Sequence, residues 1–206
     1  VYDGQLTLGR GPAAFSCDRM KRLEKGMDDA AMIHVRDVAT HVGYMPENPY
    51  DPHYQGVLTC LKALVKQCKK NQQNFLFETG QETPVTLKRA IQDIEKDTGK
   101  GNVGINLDPA NLIMYGKANP VDALEVFGEY VMGIHGKDGK YPTDGHMLGE
   151  EVPLGDGKVN YPAFVAKLKE IGYAGDITIE REISGEEQKK DILKAKNLLE
   201  KLIKEE

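Results

Sequence analysis

Short apolar segments alternate along this chain with longer amphipathic ones, close to the ~30 residues that one strand-plus-helix unit occupies. That alternation leaves few folds open. Strands are expected at Gln5–Leu8, Val35–Val42, Asn74–Glu78, Val103–Asp108, Val131–His135 and Asp176–Glu180, each rich in Val, Ile, Leu or Phe. Helices are expected at Cys17–Ala31, Tyr54–Lys70, Pro84–Asp97, Pro120–Phe127, Tyr161–Ile171 and Glu186–Lys204. In Tyr54–Lys70 the residues Val57, Leu58, Leu61, Leu64, Val65 and Cys68 recur at helical period and form one stripe. Leu193, Leu198, Leu199, Leu202 and Ile203 give the last helix its apolar face. Pro84 and Pro120 suit a first helical turn, and Gly99 and Gly172 stand where helices should stop. Strands that alternate with helices in this way pair in parallel. Two longer irregular stretches interrupt the pattern, Gly43–His53 with three prolines and Gly136–Asn160 with many Gly, Asp, Lys and Pro. A loop as long as the second is usually functional or disordered.

Composition excludes several classes of function. Lys and Arg total 27 against 32 Asp and Glu, a net charge of −5, whereas nucleic-acid binders carry a basic excess. No apolar run approaches the ~18 residues of a membrane-crossing helix. The cysteines are Cys17, Cys60 and Cys68. An odd number argues against a disulfide framework, and Cys60 and Cys68 fall too far apart on one helix to bridge. A reducing, cytoplasmic compartment is the expectation. A targeting segment upstream of Val1 would not be visible.

The strands end in a telling way. Phe75-Leu76-Phe77 runs into Glu78, Ile105-Asn106-Leu107 into Asp108, Met132-Gly133-Ile134 into His135, and Ile177-Thr178-Ile179 into Glu180. These ends are 30, 27 and 45 residues apart, which places them at one height on successive strands, the last gap absorbing the long loop. Side chains alternate faces along a strand. With Asp108, His135 and Glu180 pointing inward, Asn106, Gly104, Gly133 and Thr178 also point in, and the large apolar residues between them point out toward helices. That is the pattern of a β/α barrel, whose active site lies at the C-terminal strand ends. Three carboxylates and an imidazole gathered there need a counter-charge, and a divalent cation supplies it. The mixed oxygen and nitrogen set suits Mn²⁺, Mg²⁺, Co²⁺ or Zn²⁺.

The stretches Phe77-Glu78-Thr79-Gly80-Gln81-Glu82, Asn106-Leu107-Asp108-Pro109-Ala110-Asn111, His135-Gly136-Lys137-Asp138 and Ile179-Glu180-Arg181-Glu182 resemble the sugar phosphate isomerase/epimerase family. This family is part of the xylose isomerase-like TIM-barrel, or AP endonuclease 2, superfamily. The resemblance covers roughly residues 35–200. It implies an α/β fold, a (β/α)8 barrel, with the whole of 1–206 in a single domain. In the family's order Glu78 to Glu180 end strands five to eight, His41 ends strand four and Leu6-Thr7-Leu8-Gly9 is strand three. Strands one and two would then precede Val1, since such a barrel takes ~250 residues.

The resemblance also implies a site. Glu78, Asp108, His135 and Glu180 would bind one divalent metal, and Glu78 and Glu180 would double as the acid/base pair. A metal that chelates the carbonyl and neighbouring hydroxyl of an open-chain sugar or polyol ketone acidifies the carbon between them and stabilises an enediolate. One glutamate then removes the proton and the other returns it. The activity so implied is isomerisation or epimerisation in carbohydrate metabolism. An inosose dehydratase-like lyase on the same metal is the alternative. A three-zinc nuclease and a non-catalytic binding module are more distant ones.

His41, Asn111, Lys137 and Glu82 are the candidate substrate contacts. Asn111 stands where ketose 3-epimerases have a histidine, and Lys137 and Lys140 are the cations near His135, where those enzymes have an arginine. If Lys137 does not reach substrate, an ion pair with Asp138 is the alternative. Arg181 and Glu182 would form a structural ion pair as readily as join the site. His34, His53 and His146 are expected at the surface. Two glutamates, Glu186 and Glu187, open the last helix and would repel an anion there, so an unphosphorylated sugar or cyclitol is the expected partner. Nucleic acid and membrane are not expected, and homo-oligomers are common in the family.

Overall fold

The structure is a computed structural model and describes residues 17–205. The strand expected at Gln5–Leu8 lies outside the described residues. By its internal contacts the chain divides after Asn106 into two compact units.

The first unit contains α1 (Cys17–Met32), β1 (Asp37–Thr40), α2 (Pro52–Lys70), β2 (Asn74–Glu78), α3 (Pro84–Thr98) and all but the last residue of β3 (Val103–Leu107). β2 pairs in parallel with β1, Thr40 opposite Phe77, and with β3, Glu78 opposite Asn106. Asp51 caps α2 by accepting from the His53 N–H at 2.8 Å, and Pro52 occupies its first turn, where no N–H is needed. All six residues of the expected α2 stripe are buried. Phe75 and Phe77 lie on one face of β2 with their rings edge to face, 5.2 Å between centroids. By alternation Leu76 and Glu78 share the opposite face. The Pro-rich stretch after β1 is held by Arg89 of α3, whose guanidinium donates to the carbonyls of Pro46 and Glu47, both at 2.8 Å.

The second unit contains α4 (Pro109–Met114), α5 (Pro120–Phe127), a short 3-10 turn (Gly128–Tyr130), β4 (Val131–Gly136), β5 (Asp138–Gly139), β6 (Glu151–Val152), α6 (Tyr161–Glu170), β7 (Ile177–Ile179) and α7 (Glu186–Lys204). β4 and β7 pair in parallel, with His135 opposite Thr178. A Cβ on Gly136 would lie 3.2 Å from Ile177 and 3.3 Å from Leu199 of α7. Gly136 therefore faces the helix layer, and its neighbour His135 faces away from it, as the alternation requires.

Three features depart from the sequence reading. α4 was not expected, although Asp108-Pro109 is a capping residue followed by a first-turn proline. The 136–160 stretch is neither disordered nor wholly irregular, because β5 and β6 form an antiparallel pair inside it. The buried face of α7 is Asp191, Ala195, Leu199 and Leu202. Leu193 and Ile203 are exposed: Leu193 stands well around the helix from that stripe, and Ile203 lies in the last turn, at its edge.

Candidate functional site

Asp108 closes β3 and opens α4. Its Oδ1 accepts the Asn111 backbone N–H at 3.0 Å, which is the helix cap. That bond fixes the carboxylate and leaves Oδ2 to the site side. The side chain is fully buried. His135 stands on β4, with Nδ1 3.0 Å from Glu180 Oε2 and 3.9 Å from Asp108 Oδ2. Glu180 follows β7, and its backbone N–H donates to the Gly136 carbonyl at 3.1 Å, so the strand pairing itself brings it beside His135. Asp108, His135 and Glu180 each offer one ligand atom, and these lie within 4.8 Å of one another.

Among Asp108, Glu180, Glu182 and Lys137 the charges do not balance: three carboxylates lie within 3.8 Å of the Lys137 ammonium. His135, 3.0 Å away, holds the Glu180 carboxyl below the usual carboxylate range; burial opposes this, and the Lys137 charge adds to it. Burial works against the Lys137 charge, but Asp108, Glu182 and Glu180 outweigh it and keep the ammonium above the ordinary lysine range. One imidazole nitrogen and two carboxylate oxygens, with a surplus of negative charge, fit a divalent ion of the Mg²⁺ to Zn²⁺ series. Such ligand atoms stand roughly 3–4 Å apart around an ion at ~2.1 Å, which the spacing here allows.

Lys137 is 97% removed from solvent, and its partners correct the expectation of a pair with Asp138. Nζ is 2.7 Å from Glu182, 3.5 Å from Glu180 and 3.8 Å from Asp108. Asp138 does something else. It is fully buried, and its two oxygens accept four backbone N–H groups, those of Gly139, Val159, Gly155 and Gly157, at 2.8–3.0 Å. Gly157 is required there, since a Cβ would lie 2.1 Å from Asp138 Oδ1. Tyr161 donates its hydroxyl to the Lys137 carbonyl at 2.7 Å, and burial pushes that hydroxyl's pKa well above its ordinary value.

Arg181 takes the structural alternative. It pairs with Glu151 at 3.1 Å and with Asp191 at 2.9 Å, and Glu151 in turn accepts the Glu182 N–H. Arg181 thus ties β6 to α7, while Glu182 turns to Lys137. Asn111 is buried in the first turn of α4.

The remaining expected site residues belong to the first unit. Glu78, buried at the end of β2, accepts a short hydrogen bond from the Asn106 side chain. Glu82 is also buried. His41 directly follows β1 and is half-buried, its ring against Gly80, where a Cβ would lie 3.1 Å from Nδ1. Sequence reasoning missed Asn106 as the partner of Glu78, Asp138 as the loop anchor and Glu182 as the partner of Lys137. The parity argument had placed Asn106 inward, and that was the available signal for the first. His34, His53 and His146 are exposed, as expected. Cys60 and Cys68 are free thiols. Among the described residues no helix is long and apolar enough to cross a membrane.

Known proteins bear on this arrangement. The chain is similar to a xylose isomerase domain protein from Planctomyces limnophilus, 35% identical with a TM-score of 0.81 over 90% of this chain and 66% of that one. It shares its fold with a D-tagatose 3-epimerase-like protein, 21% identical with a TM-score of 0.69 over 98% of this chain and 74% of that one. An uncharacterized protein of Methanocaldococcus jannaschii is 29% identical over 170 residues, which are 76% of this chain and 55% of the relative. The chain thus spans about half the length of that curated relative. The family model described as xylose isomerase-like TIM barrel matches residues 2–202, across the division between the two units. With parallel α/β architecture in each unit and that match over nearly its whole length, the chain belongs to the xylose isomerase-like TIM-barrel family.

Proposed function

We propose that this chain carries the site of a divalent-metal-dependent isomerase or epimerase acting on an unphosphorylated sugar or polyol ketone, within a single domain spanning 1–206. The observation that carries the reading is the gathering of Asp108, His135 and Glu180 at strand ends, with more carboxylate charge than Lys137 balances. Family membership supports it, as does the fold shared with a D-tagatose 3-epimerase-like protein. Asp108, His135 and Glu180 hold the ion (Mn²⁺, Mg²⁺, Co²⁺ or Zn²⁺), and Glu78 is the proposed fourth ligand on the strength of its strand-end position. The ion would supply Lewis-acid polarisation of the substrate carbonyl and its neighbouring hydroxyl.

The protein's own groups do the rest. Glu180 is kept ionised by His135 and Lys137, which suits it to accept a proton from carbon. Glu78, its carboxylate oriented by Asn106, is the proposed partner that returns the proton. His41, Asn111, Lys137 and Glu82 are proposed to bond substrate hydroxyls. The His135-Gly136-Lys137-Asp138 stretch, with a buried ammonium 3.5 Å from Glu180, supports a lyase of the inosose dehydratase type as the second reading. A small-molecule partner and a cytoplasmic, homo-oligomeric protein complete the proposal.

The test is metal content after Mn²⁺ loading and desalting, beside Glu180→Gln. One ion per chain, lost in the variant, is the expected result, followed by interconversion of epimeric or isomeric ketoses in a sugar panel. A keto product formed with loss of water, without interconversion, would select the lyase. Retention of no ion would sink both.

A further inference from the structure

Lys137 is an unexpected neighbour for a divalent cation. Two of the three carboxylates within 3.8 Å of its Nζ, Asp108 and Glu180, belong to the candidate metal set. The third, Glu182, is the nearest at 2.7 Å and lies outside that set. A fixed positive charge this close opposes a second cation, most strongly where solvent is excluded. The lysine cannot withdraw to solvent, because its side chain is only 3% exposed. Its backbone is fastened on the C-terminal side, by the Tyr161 hydroxyl on its carbonyl and by the four N–H groups gathered on the next residue, Asp138. The ammonium is therefore confined to a short arc among three carboxylates.

We infer that Lys137 is a resident counter-cation that stabilises the metal-free carboxylates and competes with the divalent ion, so that the Lys137–Glu182 pair sets the metal affinity of the site. The inference rests on the metal-site reading above. Without an ion, the ammonium offsets the repulsion between Asp108 and Glu180. With an ion bound, Glu182 offers the ammonium a partner that is not a ligand. The opposite role, in which Lys137 holds Asp108 and Glu180 in place for the metal, predicts the opposite sign when its charge is removed.

The experiment measures the Mn²⁺ dissociation constant by calorimetry, and the melting temperature with and without Mn²⁺, for the full chain and its variants. Lys137→Met is expected to bind Mn²⁺ about tenfold more tightly or better, since it removes a competing charge at short range. Its metal-free form is expected to melt lower, with the deficit shrinking in saturating Mn²⁺. Lys137→Gln carries the same expectation should the methionine not be tolerated. Lys137→Arg, which keeps the charge, stays near wild type. Glu182→Gln weakens Mn²⁺ binding in the wild-type background and does so much less beside Lys137→Met, because it acts through the lysine. Unchanged or weaker Mn²⁺ binding by both Lys137→Met and Lys137→Gln overturns the inference alone. A wild-type chain that binds no Mn²⁺ overturns the metal-site reading with it.

Discussion

A carboxylate can be spent on a ligand, on a cap or on the backbone, and the acidic residues near the strand ends divide among these uses. Asp108 serves two at once, one oxygen on the Asn111 N–H and the other toward His135. Asp138, next to Lys137 in sequence, is wholly used by backbone N–H groups. Charge-assisted bonds of this kind contribute more than neutral ones, and an amide nitrogen in their place would face donors with a donor. Asp138→Asn is therefore expected to cost roughly 3 kcal/mol in a denaturant titration. Cys68 gives a pH prediction. Burial pushes its thiol up from 9.0 to about 12. A raised folded-state value contributes stability that is fully present below the unfolded value and is lost as pH rises through the folded one. Against Cys68→Val, which cannot ionise, the wild type should lose about 1.4 kcal/mol per pH unit between pH 9.0 and about 12. An equal slope for both proteins would contradict this.

At the scale of elements, helix faces and caps decide stability. Leu61 and Leu64 of α2 are fully buried, and truncating either to alanine should cost ~2–5 kcal/mol by thermal or chemical unfolding. Asn119 accepts from the Val121 and Asp122 N–H groups at the start of α5, and Asn119→Ala should cost about 1 kcal/mol. Leu193→Ala, on the exposed side of α7, should stay within about 0.5 kcal/mol of wild type although the residue is as apolar as Leu199. Periodicity made most elements legible. Asn74–Glu78, Pro120–Phe127 and Glu186–Lys204 have the bounds read from sequence, and the other expected elements among the described residues differ at their ends by two residues at most. The α7 stripe was misread because Asp191, a charged residue, occupies a buried position to hold Arg181. Hydrophobicity alone cannot register such a place. The β5–β6 pair was not legible for a similar reason. Two-residue strands carry no period, and this pair is fastened by Asp138 and by the Lys140 N–H on the Glu150 carbonyl at 2.8 Å rather than by a hydrophobic face.

For the whole molecule, a bound divalent ion should act as a ligand of the folded state alone. At 100 times its dissociation constant it should stabilise by about 2.7 kcal/mol, read as a rise in melting temperature that Glu180→Gln abolishes. Sequence by itself determined the α/β class, the order of strands and helices and the inward parity of Asp108, His135 and Glu180, because those follow from local periodicity and from the place where each strand stops. It also determined the family, through the residues at those strand ends. Tertiary structure alone decided the partners: Lys137 with Glu182 rather than Asp138, Arg181 with Glu151 and Asp191, and Glu180 beside His135. The physical reason is range. Periodicity is a property of near neighbours in the chain, whereas Lys137 and Glu182 stand 45 residues apart in sequence and meet only because β4 and β7 pair in register.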